Sequence, residues 1–348
     1  MDSLRQSTLT MALRNVPILM FLGTFLIFGL LSPRFLEYQS LENIAKQASY
    51  IGIIAVGMTF VLLTGGIDLS VGSNMYVSAV TAGLLMQRFS ILPVLALVIC
   101  LAVGLVFGLA NAFAVTRLHI IPFVVTLATQ FAGRGLGWML SQSRAVAFPQ
   151  SVTGLGAVQL LGIPGPIVIF TGVVLAAWVV LARTTLGRQI YAVGHEIEAA
   201  RKAGINTRRV QATAYCLCGV LASLGGFVSV AQLGNVNSGF GEMVEFQAIA
   251  AAVLGGTSLF GGIGNVFPGT VLGALLIQMV WAGLVATRTD LYLQPLIAAA
   301  IIFLAVLLDS IRNTALAKMG RHNIRIEEKS SGRPDTSQQH SPRRKPTN

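Results

Sequence analysis

The stretch RTTLGRQIYAVGHEIEAARKAGINTRRV, residues 183–210, governs how the rest of the chain is read. It holds six basic residues (Arg183, Arg188, Arg201, Lys202, Arg208, Arg209) and two acids, Glu196 and Glu198, and no apolar run able to cross a bilayer. Long apolar runs flank it on both sides. From Glu196 to Ala203 it is Ala-rich and charged, a composition of good helix propensity. Gly194 precedes that expected helix and Gly204 ends it, as a C-terminal glycine commonly does. The stretch reads as a short exposed helix on one side of a membrane-embedded bundle.

Composition supports the membrane setting. Hydrophobic residues make up 54% of the chain and charged residues 11%, against about 25% charged in soluble domains. The net charge of +11 does not point to nucleic acid, because the cations are not spread over a surface. Nine of the 24 Lys and Arg follow Asp309, six lie in 183–210, and Arg5 and Arg14 sit at the N-terminus. Cations gathered in a few interhelical segments are the pattern of cytoplasmic loops. Cys100, Cys216 and Cys218 all fall in apolar runs and read as small buried hydrophobes. The four histidines are scattered, mostly beside basic loops, and do not cluster with acids, so no metal site is expected.

Ten runs qualify as spans: Val16–Leu31, Ala48–Thr64, Asn74–Gln87, Pro93–Val115, Ile120–Leu140, Pro164–Ala182, Gln211–Leu233, Phe246–Ser258, Val266–Ala286 and Leu291–Leu308. The first is followed by LSPRF rather than a small-residue cleavage site and is read as an uncleaved helix. Six spans precede the basic loop and four follow it, so residues 1–15, the loop and the tail 313–348 share one side, and all three are basic. The expectation is an all-α polytopic membrane protein with one transmembrane domain over 16–312 and a disordered basic tail. Small residues four apart (Gly104 and Gly108, Gly133 and Gly137, Gly269 and Gly273) predict close helix packing in lipid.

Two segments break the helical pattern. Gly65–Ser73 reads GGIDLSVGS and 255–262 reads GGTSLFGG; overlaid from their first glycines they share Gly-Gly-x-[Asp/Ser]-Leu-x-x-Gly. Glycine-broken segments at corresponding positions of two halves point to a transport pathway, and short turns at the bilayer surface would look the same. Asp68 is the only acid between Glu42 and Glu196; it is either held at membrane depth by partners or is a surface helix cap. Arg134, inside a span, either snorkels to an interface, pairs within the bundle or faces a cavity. The long segment 141–163 either packs over the outer end of the bundle or receives a partner. Ser70, Ser73, Asn74, Thr126 and Thr257 could bind solute hydroxyls or equally their own helix backbones.

With these residues in view, the chain resembles the permease subunit of bacterial ABC sugar importers, in the branch typified by ribose and other monosaccharide uptake systems within the branched-chain-amino-acid/ribose permease superfamily. GGIDLSVGS at 65–73, Asn111, IPFVVTL at 121–127 with Arg134-Gly135, GRQIYAVGHEIEAARKAGI at 187–205, and LGGTSLFGGIGNVFPGTVLGALL at 254–276 carry the resemblance. Glu198-Ala199-Ala200-x-x-x-Gly204 fits the EAA-x-x-x-G pattern of importer permeases, although the hydrophobic-x-Leu-Pro that ends the longer form is absent.

The resemblance implies a vitamin-B12-importer-like (type II) ABC permease fold of about ten helices in the bacterial inner membrane, with both termini cytoplasmic. It implies a second permease copy, a separate ABC ATPase subunit, a periplasmic sugar-binding protein and surrounding lipid as partners, with no nucleic acid. It also implies coupling through Gly187, Gly194, Glu198, Ala199, Ala200, Arg201 and Gly204. A substrate pathway is expected near Gly65, Gly66, Asp68, Ser70, Ser73, Asn74, Asn111, Thr126, Gly255, Gly256 and Thr257. The chain contains no Gly-x-x-x-x-Gly-Lys-[Ser/Thr], so ATP and magnesium would bind the partner subunit and no cofactor this chain. The competing expectation is an ion-coupled secondary transporter of a small polar solute, for which only Asp68 and Arg134 are candidate ionisable groups within the bundle.

Overall fold

The computed structural model describes residues 16–300 and the single positions 303 and 307. The segment 1–15, the last part of the final expected span apart from 303 and 307, and the basic tail lie outside the described residues. The long elements are all helices: α1 (Val16–Leu31), α2 (Tyr38–Leu63), α3 (Val71–Phe89), α4 (Pro93–Thr116), α5 (Pro122–Ser141), α6 (Gln150–Ala157), α7 (Gly165–Arg183), α8 (Thr185–His195), α9 (Ile197–Lys202), α10 (Thr207–Leu233), α11 (Val244–Leu254) and α12 (Val271–Ala286). A single 3-10 turn, Pro33–Leu36, joins α1 to α2, and a π turn, Val266–Thr270, leads into α12. Residues 294–300 are helical. Proline in the first turn opens α4, α5 and α7, where its missing N–H leaves nothing unsatisfied.

Among the described residues, five helical stretches are long and apolar enough to cross a bilayer: α2, α4, α7, α10 and Val266–Ala286. Two others, α3 and α5, have the length, at 19 and 20 residues, but are more polar. The polarity of α3 is tolerated because it is buried over nearly its whole length, with Ser73, Asn74 and Ser78 turned to protein and not lipid. The helix α4 instead buries one stripe (Ala96, Cys100, Gly104, Gly108, Asn111, Ala112, Val115) and turns Leu95, Val98, Leu105, Val106 and Leu109 outward.

Several boundaries depart from the sequence reading. The second span begins ten residues earlier, at Tyr38, because the polar start of α2 is helical too and carries a Glu42–Lys46 pair at 3.0 Å. The eighth shrinks to the 11 residues of α11, about 16 Å at 1.5 Å per residue. The basic stretch holds two helices where one was expected. Gly194 lies inside α8 rather than ahead of the charged helix, and Glu196 is the hinge residue between α8 and α9. The missed helix buries Gly187, Ile190 and Val193.

The two glycine breaks are real, but their register is shifted by one from the sequence overlay. Gly65 (φ +77°) closes α2: its N–H donates to Leu62 O at 2.9 Å and the Gly66 N–H to Val61 O at 3.1 Å. Gly256 (φ +92°) closes α11 identically, with its N–H on Val253 O at 2.8 Å and the Thr257 N–H on Ala252 O at 3.0 Å. Both are Schellman caps. Gly65 therefore matches Gly256, not Gly255, and Asp68 matches Leu259. Gly72 and Ser73 belong to α3, not to the break.

At the opposite end of the bundle, segment 141–163 packs over the helices. Strand β1 (Val146–Ala147) pairs antiparallel with β4 (Asn235–Val236), Gly156 of α6 abuts Ala231 O, and strands β2 (Gln159–Leu160) and β3 (Ile163–Pro164) make a small hairpin.

All three small-residue pairs do what their spacing predicts. Gly104 and Gly108 of α4 meet the backbone of α10 at Gly219, Tyr215 and Cys216. Gly133 and Gly137 of α5 receive Ser73 and Tyr76 of α3, and Gly269 and Gly273 meet Gly255 and Ala251 of α11. A Cβ at Gly108 would lie 2.6 Å from Tyr215 O and 2.7 Å from Cys216 Cα, backbone atoms that cannot rotate away. Gly108→Val should therefore lower stability by about 1–3 kcal/mol, the usual cost of overpacking. Thermal unfolding in detergent reads this out, and a melting temperature equal to that of the wild type would contradict the contact.

Candidate functional site

The exposed helix α9 is built from the expected residues. Gly204 (φ +82°) ends it, with its N–H on Arg201 O and the Ile205 N–H on Ala200 O, both at 3.0 Å. Ala200 is buried beneath it, while Glu198 and Arg201 face outward, paired at 3.3 Å with side chains 58% and 62% exposed. Ala199 and Lys202 share that outward face. The preceding α8 is seated firmly: Thr184 Oγ1 caps it by accepting from the Gly187 N–H at 3.2 Å, and Gly187 lies against the carbonyls of Val180 and Leu181.

The far end of α8 is where both glycine breaks meet. Gly194 touches Leu63 O, at the end of α2, and the backbone N of Gly262. The Gly262 N–H donates to Leu63 O at 3.0 Å, so α2 and the second break are joined directly. Gly261 (φ +91°) would place a Cβ 2.7 Å from Gly194 O and 3.0 Å from Gly65 N, so no side chain fits there. Tyr191 Oη donates to Gly264 O at 2.9 Å, and burial pushes its phenol pKa up, which keeps it a donor. Three segments distant in sequence thus touch through bare backbone. Of the sequence-predicted residues, Gly65, Gly194, Gly255 and Gly256 belong to this junction or its caps. Thr257 is buried beside Gly264, its hydroxyl without a partner among the described residues.

Asp68, Ser70, Asn111 and Thr126 form a second cluster. Asp68 is 1% exposed, which excludes a surface cap. Its Oδ1 accepts from the Ser70 N–H at 2.9 Å, Ser70 Oγ at 2.6 Å and Asn111 Nδ2 at 3.2 Å. Asn111 Nδ2 also donates to Ser70 Oγ at 2.8 Å, and Thr129 Oγ1 donates to Asn111 Oδ1 at 2.7 Å. Thr126 Oγ1 donates to Ile67 O at 3.2 Å. The Tyr215 hydroxyl, buried and unpartnered among the described residues, lies against Gly66. Ser73 Oγ donates to Ser70 O at 3.0 Å and Asn74 Nδ2 to Gly219 O at 2.9 Å. Apart from Thr257 and the Oδ1 of Asn74, which has no partner among the described residues, the polar groups expected along a pathway are thus buried and bonded within the protein. Cys218 of α10 lies beside Asp68, about 16 Å along the helix from Thr207, which puts the cluster well inside the bundle.

Arg134 pairs within the bundle. Its guanidinium donates from Nη1 to Phe240 O at 2.7 Å and lies over the Tyr76 ring, 5.1 Å from the centroid. Two polar side chains near it, Gln130 and Glu245, were not singled out from sequence. Glu245 is buried at the start of α11 and accepts from Gln130 Nε2 at 3.1 Å; Gln130 Oε1 accepts from the Ser73 N–H at 3.1 Å. The chemical signal was present, since Gln130 and Arg134 are four apart on one helix, but Glu245 gives no sign of burial until α11 is known to start at Val244.

The chain matches the family model described as branched-chain amino acid transport system / permease component over residues 40–307. It is 38% identical over 289 residues to a ribose import permease protein of Escherichia coli (strain K12), covering 82% of this chain and 89% of that one. It is 38% identical over 296 residues to a ribose import permease protein of Bacillus subtilis (strain 168), covering 83% and 91%. A fructose import permease protein of Rhizobium meliloti is 32% identical over 304 residues, 84% of each chain. No solved structure matches.

The Asp68 cluster makes a definite prediction. Asp68→Ala leaves buried donors on Ser70 and Asn111 without their acceptor, and each such group costs about 1–3 kcal/mol. Asn111→Ala removes part of the same network, so the double variant should fall short of the sum of the two by at least about 0.5 kcal/mol. Thermal melts of the four proteins in detergent measure this, and strict additivity would mean that the two side chains do not share a network.

Proposed function

Because the chain belongs to the branched-chain amino acid transport system permease family, we propose that it is the membrane-spanning permease of an ATP-driven importer that moves a monosaccharide, a pentose, hexose or related polyol, across the bacterial inner membrane. The sugar class is supported by the relatives, whose names specify ribose and fructose. The single structural observation behind the mechanism is the backbone junction of α8 with both glycine breaks.

In this reading a pair of ATPase subunits receives the outward face of α9, with Glu198, Ala199 and Arg201 as the contact. Motion of α9 passes to α8 across the Glu196 hinge. Gly194 then carries it to the end of α2 and to the turn between α11 and α12. With Gly261 and Gly194 in backbone contact there is no side chain to absorb the displacement by changing rotamer. Nucleotide-driven closure of the ATPases would bias the bundle between two openings, a population shift driven from the cytoplasm. Ten spans with cytoplasmic termini, a type II permease fold, a homodimeric pair and a periplasmic sugar-binding protein complete the proposal. The basic loop and tail on one side support the orientation.

Glu198→Lys reverses the charge on the contact face, and Gly204→Trp puts a side chain at φ +82°. Both should abolish sugar uptake and the co-purification of the ATPase, while immunoblots of membranes show normal levels of the permease. Uptake that survives both substitutions would remove α9 from the coupling route. Uptake by the chain alone in liposomes under an ion gradient would favour the secondary-transporter reading.

A further inference from the structure

At the end of the bundle opposite α8 and α9, a cavity of about 720 Å³ opens between the 3-10 turn, the first half of α2, the start of α11 and the second half of α12. Its wall is unlike the rest of the bundle. Asn43, Gln47 and Tyr50 descend one face of α2 at i, i+4 and i+7, Gln247 faces them from α11, and Gln278 and Trp281 come from α12. Tyr50 lies about 18 Å along α2 from Tyr38, and Gln278 about 12 Å from Ala286 at the end of α12. The cleft therefore reaches roughly halfway through a hydrocarbon core about 30 Å thick.

The polar side chains of this wall make no hydrogen bond among the described residues. Gln278 is 4% exposed yet makes no hydrogen bond among the described residues. Trp281 Nε1 is buried and also has no partner there. Buried amides and indoles are normally satisfied, and each orphan costs free energy unless water or a ligand meets it. This contrasts with Ser70, Asn111 and Thr126, whose hydrogen bonds are internal. The side chains that line the depth of the cleft carry no charge; Arg34 and Glu37 are confined to its mouth.

Resting on the permease reading above, we infer that this cleft is the outward-facing solute site, and that its ligand is a neutral polyhydroxyl ring. Amide side chains each offer a donor and an acceptor, which matches hydroxyls that do both. Tyr and Trp add flat apolar faces with a polar edge, suited to the C–H face of a sugar ring. The volume falls within the range of small-molecule pockets, about 300–1,000 Å³. An uncharged wall gives a cation or carboxylate nothing to pair with at depth.

The experiment reconstitutes the full transporter with radiolabelled D-ribose and D-fructose as probes. Gln278→Leu and Trp281→Leu should each reduce uptake at least tenfold while the assembled complex is recovered in wild-type amount. In a protein lacking its three native cysteines, the Gln278→Cys variant should react with a membrane-impermeant thiol reagent added from outside. The transported sugar should slow that reaction. Uptake unchanged in both leucine variants overturns the assignment. So does a Gln278→Cys thiol that reacts only from inside, or at a rate indifferent to sugar. The permease reading fails separately: it falls if the wild-type complex moves neither sugar nor any other monosaccharide.

Discussion

Asp68 takes three hydrogen bonds on one buried oxygen, and the path of the chain through the bundle depends on it. Between Thr64 and Ser70 the backbone is not helical, yet it runs inside the protein, where every unpaired N–H or carbonyl costs several kcal/mol. The Schellman cap at Gly65 meets the carbonyls of α2, and the Asp68 carboxylate receives the Ser70 N–H at the entry to α3. Asn111 and Thr126 then fasten the same segment to α4 and α5. An apolar residue at 68 would leave α3 to start without an acceptor. The carboxylate thus allows a helix to begin within the bundle, and the rest of α3 can be buried because that start is fixed.

Close backbone contact is the second constraint, and it takes two forms. At Gly104 and Gly108 the approach of α4 to α10 runs along a helix pair and holds it in register. Around Gly194, Gly261 and Gly262 the approach is between a helix and two turns, with one cross-chain hydrogen bond from Gly262 to Leu63. The same absence of side chains has different consequences in the two places. A helix pair resists separation along its whole length, whereas the three-way contact of turns joins α8 to the ends of α2 and α11 at a few backbone atoms, beside helices that also pack on each other through the Thr59–Thr270 hydroxyl pair at 2.8 Å.

Much of this was legible in the residues themselves, and the exceptions have physical causes. Span positions, small-residue pairs, the Gly204 cap and the existence of both breaks follow from local pattern, because helix propensity, capping and hydropathy are local quantities. The helix α8 was overlooked although Leu186, Ile190 and Val193 stand at helical spacing, because its three apolar positions are diluted by charged and polar neighbours. The burial of Glu245 and the partnering of Asp68 are products of tertiary packing, and nothing within several residues of either acid reports it. The overlay of the two breaks slipped by one because letters were matched where the geometry matches caps. The amides at 43, 47, 247 and 278 carry no local signal for a related reason: in an apolar chain a lone amide looks like an interruption, and only the fold shows these four turned toward one cavity.

Coupling between the two ends of the bundle needs an element that belongs to both, and two helices qualify. The last residue of α2, Leu63, is fastened to Gly262, while the first half of α2 supplies Asn43, Gln47 and Tyr50 to the cleft. The segment leading into α12 packs at Gly269 on Gly255, and the second half of that helix carries Gln278 and Trp281. A displacement at the α8 junction that tilted α2 relative to α12 would change the width of the cleft directly, because these two helices form facing parts of its wall. A ligand that bridged Gln47 to Gln278 would in turn oppose that tilt. Linkage requires the two effects to be equal in free energy, so a solute that stabilises one width of the cleft must shift the position of α9. The route needs no chain of side-chain contacts through the bundle, since the helices themselves span the distance.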